Sequence, residues 1–331
     1  MKRRDIHQKH DFFEYVRLDG AALPPADPAK LDVAILDMNH SWPNVGHDAL
    51  VHAILEAAEE NRPALASKGR AIRAISFDIR RRHEIPPAPN GRFRLYVGTG
   101  GPGHLDPREN DGEQFWAQGI RETAEWEEPL FRLFDAIASD DSSALLAVCH
   151  SFGLLCRWSG AAHPEMREKK STGIPLNFLS DEATKHPWFS RFSERLADRR
   201  HFSVLDNRLF DLVADKSSSA TPLAFETASK RVLTMVEIAS NASTGIPRIF
   251  GANHHPEIID REHIMAVLDE KRAHGEVSNS WYEERAQTMA NLFHDEQERQ
   301  SRLTSEYTLL GLLRHHVGRL AQVEREQSCP R

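Results

Sequence analysis

Four short apolar runs, each ending in small or polar residues, constrain this chain more than any other feature. They are "LDVAILDM" (31–38), "RAIRAISFDIR" (70–80), "FRLYVGTG" (93–100) and "SALLAVCH" (143–150). Runs that are apolar with little alternation suit strands buried on both faces. Between the first two lies "HDALVHAILEAAEEN" (47–61), whose apolar positions recur at helical spacing. Residues 114–139 read as a further helix, with Phe115, Trp116, Ile120, Trp126, Leu130, Leu133 and Phe134 on its apolar face. More strands are expected near 174–179, 201–205, 223–227, 232–238 and 247–252. Strands alternating with helices predict an α/β protein with a doubly wound, mainly parallel sheet of flavodoxin-like type. In such sheets the functional residues gather at the carboxyl ends of the strands.

The texture along the chain suggests three parts. Residues 1–30 mix charge with "LPPADP" and read as an irregular lead-in; 31–260 carry the strand–helix alternation. Residues 261–331 are rich in Glu, Arg, Gln and Leu, with no proline until Pro330, and read as a helical C-terminal extension. An apolar stripe through Met289, Leu292, Phe293, Leu303, Leu310 and Leu313 is expected to pack back on the main domain rather than to dock a partner.

Charge and cysteine use exclude several classes. A formal net charge of −7 argues against nucleic acid as a main partner. The basic run "IRRRH" (79–83) reads as a solvated turn or helix end. The three cysteines, Cys149, Cys156 and Cys329, show no zinc-type spacing, and so few in 331 residues suit a reducing cytoplasm. No apolar run approaches the roughly 20 residues that cross a bilayer, so no membrane is expected.

Three motifs sit at predicted strand ends. In "LLAVCHSFGLL" (145–155) a strand stops at Cys149 and a helical pattern follows. A cysteine on such a turn is exposed above the sheet, and the helix N-terminus favours its thiolate. The same residue could equally be a buried cysteine closing a core strand; Cys156 fits that description better. In "YVGTGGPGHLDP" (96–107), Gly98, Gly100, Gly101 and Gly103 suit either a tight turn or a loop whose N–H groups hold an oxyanion. It is neither a Walker A nor a dinucleotide fingerprint, and no cofactor is expected. In "FGANHHPEI" (250–258), His254 and His255 would point oppositely on a strand, which disfavours a metal site. His255 and Glu257, two apart, share a side and fit a general base oriented by a carboxylate. A second His-Pro-Glu at His163 follows a helix instead and reads as a surface turn.

Together and in this order, Gly-Gly-Pro, the cysteine elbow and G-x-N-x-H-P-E resemble the class I glutamine amidotransferase superfamily over roughly 31–260. The resemblance implies that family's fold and a triad of Cys149, His255 and Glu257. It places oxyanion or substrate contacts at Gly100, Gly101, His150 and Ser151. The elbow departs from the family's G-x-C-x-G-x-Q: Ala147 and Ser151 replace its glycines, and Gly153 stands where glutamine is usual. Asn253 replaces the glutamine of the histidine motif, and "SVLDNRL" (203–209) replaces a Ser-x-His pair. The directly following His150 is similar to the "A-I-C-H-G" elbow of the intracellular-protease-like branch.

The expected activity is attack on an amide carbonyl, a thioester at Cys149, and ammonia released for a separate synthase. The alternatives are an acyltransferase or amide hydrolase on another substrate, similar to homoserine acyltransferases, and a non-catalytic binding or regulatory relative. The expected partners are a small amide or acyl substrate and a synthase subunit.

Overall fold

The computed structural model describes residues 5–322 apart from 43 and 294. The first half of the chain contributes strands β1 (Phe13–Arg17), β2 (Lys30–Asp37), β3 (Ala71–Asp78), β4 (Phe93–Gly98) and β5 (Ala144–Val148). The second half adds β6 (Ala162–Gly173), β7 (Leu176–Leu179), β8 (His201–Ser203), β9 (Asp206–Ala214), β10 (Thr221–Phe225), β11 (Leu233–Ser240) and β12 (Pro247–Ala252). Ten strands form one sheet in the order β1-β3-β2-β4-β5-β12-β11-β10-β7-β8, while β6 and β9 form a separate antiparallel ribbon. From β1 to β12 in that order the neighbours run parallel. The remaining four pairings are antiparallel.

The parallel centre matches the unbroken apolar runs. Val33, Ala34, Ile35 and Leu36 of β2 and Leu145 of β5 are fully buried, covered by helices on both faces. Truncating one of the larger of these to Ala would cost about 2–5 kcal/mol through lost transfer energy and the cavity left behind. A helix, α1 (Val45–Glu60), crosses from β2 to β3, its N-cap Asn44 accepting from the Gly46 amide at 2.6 Å. The carboxyl ends of β2, β4, β5 and β12 therefore open on one edge, where the three sequence motifs meet.

Four expectations are corrected. The lead-in is not wholly irregular: β1 pairs with β3 and closes the sheet, with Phe13 fully buried. Residues 114–139 do not form one helix. Short 3-10 turns at Phe115–Ala117 and Ala124–Trp126 precede the α-helix Glu127–Ser139, and Gly119 between them adopts φ +77°. Phe115, counted on the apolar face, is 66% exposed. His163 lies in β6 rather than in a turn, exposed and 3.4 Å from Glu165.

The tail is helical, with segments Arg261–Ala273, Asn279–Leu292, Asp295–Ser305 and Gly311–Gln322. Its last segment packs into the main core through Leu312, Leu313 and Val317, and Leu310 joins them. Phe293 is fully buried, while Cys329 and the side chain of Leu292 lie outside the described residues. Packing is thus continuous across residue 260. Among the described residues no helix is long and apolar enough to cross a membrane.

Candidate active site

Cys149 stands between β5 and a helix, His150–Ser159, with φ 51° and ψ −103°. Left-handed backbone is strained for a residue with a side chain, and strain of this kind concentrates at functional turns. The turn is held from three sides. The Cys149 amide donates to Ala252 O at 2.8 Å, its carbonyl accepts from the Gly153 amide at 3.0 Å, and Ser151 reaches Thr99. Ser151 is fully buried, and both its amide (3.2 Å) and its hydroxyl (2.7 Å) donate to the Thr99 carbonyl. It fastens the elbow to the end of β4 and does not line the cavity beside Cys149, contrary to its expected substrate contact.

The glycine loop after β4 runs against that elbow. A Cβ on Gly100 would lie 3.1 Å from His255 Cε1 and 3.7 Å from Cys149 Sγ, so glycine keeps the space between the two open. A Cβ on Gly101 would meet Met38 O at 2.2 Å, closer than any side chain can come. The His150 ring bonds the Gly101 backbone; burial first, then the nearby Arg80 charge, holds the ring neutral well below the ordinary histidine range.

In "IRRRH", read as a solvated turn or helix end, Ile79–Arg82 form a short helix with Arg81, Arg82 and His83 exposed, but Arg80 turns inward. Its side chain is fully buried and donates to Met38 O (2.9 Å) and Pro102 O (2.6 Å). Its other edge grips Glu122 through bonds of 3.0 and 2.7 Å. The bonds to Met38 and Pro102 tie the glycine loop to the end of β2, and the bidentate pair with Glu122 holds the guanidinium in place. The only local signal was the strand end that Arg80 follows; Glu122, 42 positions away, gave none.

His255 and Glu257 follow β12. His255 Nδ1 lies 2.7 Å from Glu257 Oε1, and its ring also hydrogen-bonds Cys149. With Nδ1 committed to the carboxylate, Nε2 is left to the thiol. Burial opposes a charged His255, but the charges of Glu257 and of the Cys149 sulfur outweigh it and hold the imidazolium well above the ordinary range.

Glu257 is itself buried against the first turn of α1, where a Cβ on Gly46 would come within 2.8 Å of Oε1. The positive end of that 16-residue helix favours the carboxylate. His254 points away from all of this. It is wholly buried edge-on to Phe202, and burial, then Arg208, pushes it down to about 3.

A cavity of about 210 Å³ opens beside the sulfur, lined by Gly101, His150, Asn253 and His255. Its far wall is the β6–β9 ribbon, which the sequence reading missed. Arg208, Phe210 and Leu212 alternate inward along β9, and all three line the cavity. That period of two was the signal available. The ribbon is braced by Arg208 to Glu226 (2.9 Å) and by Arg167 to Asp211 and Glu226. Asn253, at the position of the family's glutamine, lines the cavity with its Nδ2 bonded to nothing among the described residues.

No family model matches the chain, and no curated protein matches it in sequence. Solved structures similar to it include a glutamine amidotransferase from Thermotoga maritima, 15% identical, covering 88% of this chain and 99% of that one, with a TM-score of 0.48. A glutamine amido transferase from Methylobacillus flagellatus is 13% identical, covers 89% and 96%, and has a TM-score of 0.48. The glutaminase domain of Trypanosoma brucei CTPS with bound acivicin is 9% identical, covers 73% and 94%, and has a TM-score of 0.41. At these values the likeness assigns no residue a role.

Proposed function

We propose that this chain is a glutamine amidotransferase-like enzyme that transfers an acyl group through a thioester on Cys149. The observation that carries the reading is the junction of a strained cysteine elbow with a histidine whose far nitrogen is fixed by a buried carboxylate. Cys149 Sγ attacks the carbonyl carbon of an amide or ester, and the developing oxyanion is held by the amides of Gly101 and His150. His255 gives its Nε2 proton to the leaving group, which departs as ammonia or an amine from an amide and as an alcohol from an ester. The thioester is then attacked by a second nucleophile whose proton His255 accepts, while Glu257 keeps the ring oriented. Residues 31–260 carry the triad, and a reducing cytoplasm suits a thiol nucleophile. With a primary amide as donor, the ammonia would serve a separate synthase.

Two observations favour a donor other than free glutamine. A side chain at Gly153, where the family carries glutamine, would run into Leu105 at 2.5 Å, and Leu105 itself lines the cavity. The family's Ser-x-His pair is absent from the start of β9. A site that has lost its hydrogen-bond partners for a substrate loses much of its discrimination for it. Intact-mass labelling with an electrophilic glutamine analogue and with activated acyl esters tests the reading. One adduct is expected, on Cys149 and absent from Cys149→Ala, with slow ammonia release from glutamine by the isolated chain. Absence of any Cys149 adduct would overturn the thioester reading. A turnover of about 10 per second on glutamine would restore a conventional glutaminase.

A further inference from the structure

A second cavity, of about 340 Å³, meets the first at His255. The two share His255, Asn44, Lys170 and Asn207, but Cys149 lines only the first. His255 therefore borders a second space that Cys149 does not line. It is the larger of the two, about 340 against 210 Å³.

Its outer wall is one face of the helix Asn279–Leu292. Trp281, Arg285, Thr288 and Met289 stand at i, i+4, i+7 and i+8, and all four line the cavity. Each is only half-buried: Trp281 and Met289 pack in part against the cluster of Val45, Leu205 and Ile258 and leave the rest of their surface to the cavity. The inner wall holds Asp206, 1% exposed, whose Oδ1 has no hydrogen-bond partner among the described residues. Its other oxygen accepts from Ser171 Oγ at 2.6 Å and lies 3.2 Å from Arg208 Nη1, so the carboxylate is fixed in place. A buried carboxylate oxygen with nothing bonded to it calls for an N–H or O–H donor. Lys170, which overhangs both cavities from the irregular stretch of β6, has no ion-pair partner among the described residues. Arg285 stacks over Trp281 with its guanidinium carbon 5.5 Å from the ring centroid, and its Nη1 pairs with the exposed Glu284 at 2.6 Å.

We propose that this cavity binds the acceptor of the acyl group, an amine with an apolar body and a carboxylate at its far end. The inference rests on the thioester reading. The amine donates to Asp206 beside His255, the body lies on Trp281 and Met289, and the carboxylate meets Lys170 and Arg285. The amine nitrogen attacks the thioester carbonyl, a C–N bond forms and the C–S bond breaks. His255 takes the proton lost by nitrogen and returns it to the Cys149 sulfur, giving an amide and free thiol.

The probes are p-nitrophenyl acetate as donor and the ω-aminocarboxylates from β-alanine to 6-aminohexanoate as acceptors, with hexylamine as the acceptor lacking a carboxylate. Release of p-nitrophenolate with a Cys149 acetyl adduct reports the thioester alone. The ratio of N-acetyl product to acetate reports the acceptor site. At least one aminocarboxylate is expected to raise that ratio saturably, about tenfold or more above hexylamine. Trp281→Ala and Arg285→Glu should lower it by about the same factor, and Arg285→Lys should recover most of the loss. Calorimetry of the same aminocarboxylates with Cys149→Ala protein reads binding without acylation. A Cys149 adduct that decays to acetate alone whatever amine is present, or no binding by calorimetry, overturns the acceptor site. Binding without any adduct would keep the site and remove the thioester reading instead.

Discussion

Replacing Glu257 with Gln keeps the size and shape of the side chain and removes the charge that holds His255 protonated. The carboxylate is 2.7 Å from Nδ1, and both groups are buried. Unit charges about 4 Å apart attract by about 4 kcal/mol at an effective dielectric near 20. The glutamine dipole and the remaining sulfur charge retain part of this, so the net loss is about 2 kcal/mol. That lowers the His255 pKa from its raised position. Burial, which opposes the charge, then pulls the ring toward neutrality. The thiolate–imidazolium pair loses population by about thirtyfold, and alkylation of Cys149 by chloroacetamide at neutral pH should slow by a similar factor. Wild-type labelling should be nearly flat through neutral pH, whereas the variant's should climb as pH rises.

Stability follows with a definite sign. A histidine raised in the folded state contributes its full stabilisation below its unfolded value of about 6.5 and loses it as pH rises through the folded value. The melting-temperature gap between wild type and variant should therefore be wide near pH 6 and shrink on the alkaline side. Equal alkylation rates with superimposable pH profiles, in a variant that melts cooperatively, would refute the ion-pair account.

Four further substitutions separate the parts of the site. His255→Ala should cost on the order of a thousandfold or more in turnover of an activated ester, while His163→Ala, on the exposed face of β6, should leave it unchanged; equal losses would move the chemistry to the wrong His-Pro-Glu. Gly100→Ala would place a methyl 3.1 Å from His255 Cε1, and the acylation burst should fall about a hundredfold with little change in melting temperature, since Gly100 does not adopt a positive φ. Arg80→Met would leave Glu122 buried and without its guanidinium, costing about 3–5 kcal/mol, seen as a lower urea midpoint; an unchanged midpoint would show that the clamp on the glycine loop is not structural.

What could be read in the sequence was what lies close together along it. Cys149 and its elbow occupy one strand–helix junction, and His255 with Glu257 one strand end, so period and motif placed both. The glycine loop was legible for the same reason. Arg80 and Glu122 were not, because a buried ion pair between residues 42 apart looks like ordinary surface charge until the fold joins them. The ribbon was missed because β6 is broken by an irregularity between Met166 and Ser171, and its charged residues resemble a loop. The lead-in concealed β1 because five residues with one fully buried side chain carry too little pattern to stand out.

The features that could not be read from local pattern are also those that bear on specificity. Cys149, His255 and Glu257 rest on β5, β12 and α1, elements whose register is set by the central sheet. The cavity walls come from the β6–β9 ribbon and from the helix Asn279–Leu292, both outside the parallel core. Residues on such additions can change without disturbing Cys149, His255 or the glycine loop. Among those lining the cavities, Lys170, Asn207, Trp281 and Arg285 lie outside the parallel core, whereas Asn253 belongs to the end of β12 and lines only the cavity beside Cys149. A histidine that faces two cavities needs each to exclude the other's ligand, and here Lys170 and Asn207 border both. Substitutions at these two positions should therefore alter donor and acceptor preference together, whereas changes at Asn253 should act on the donor and changes at Trp281 on the acceptor.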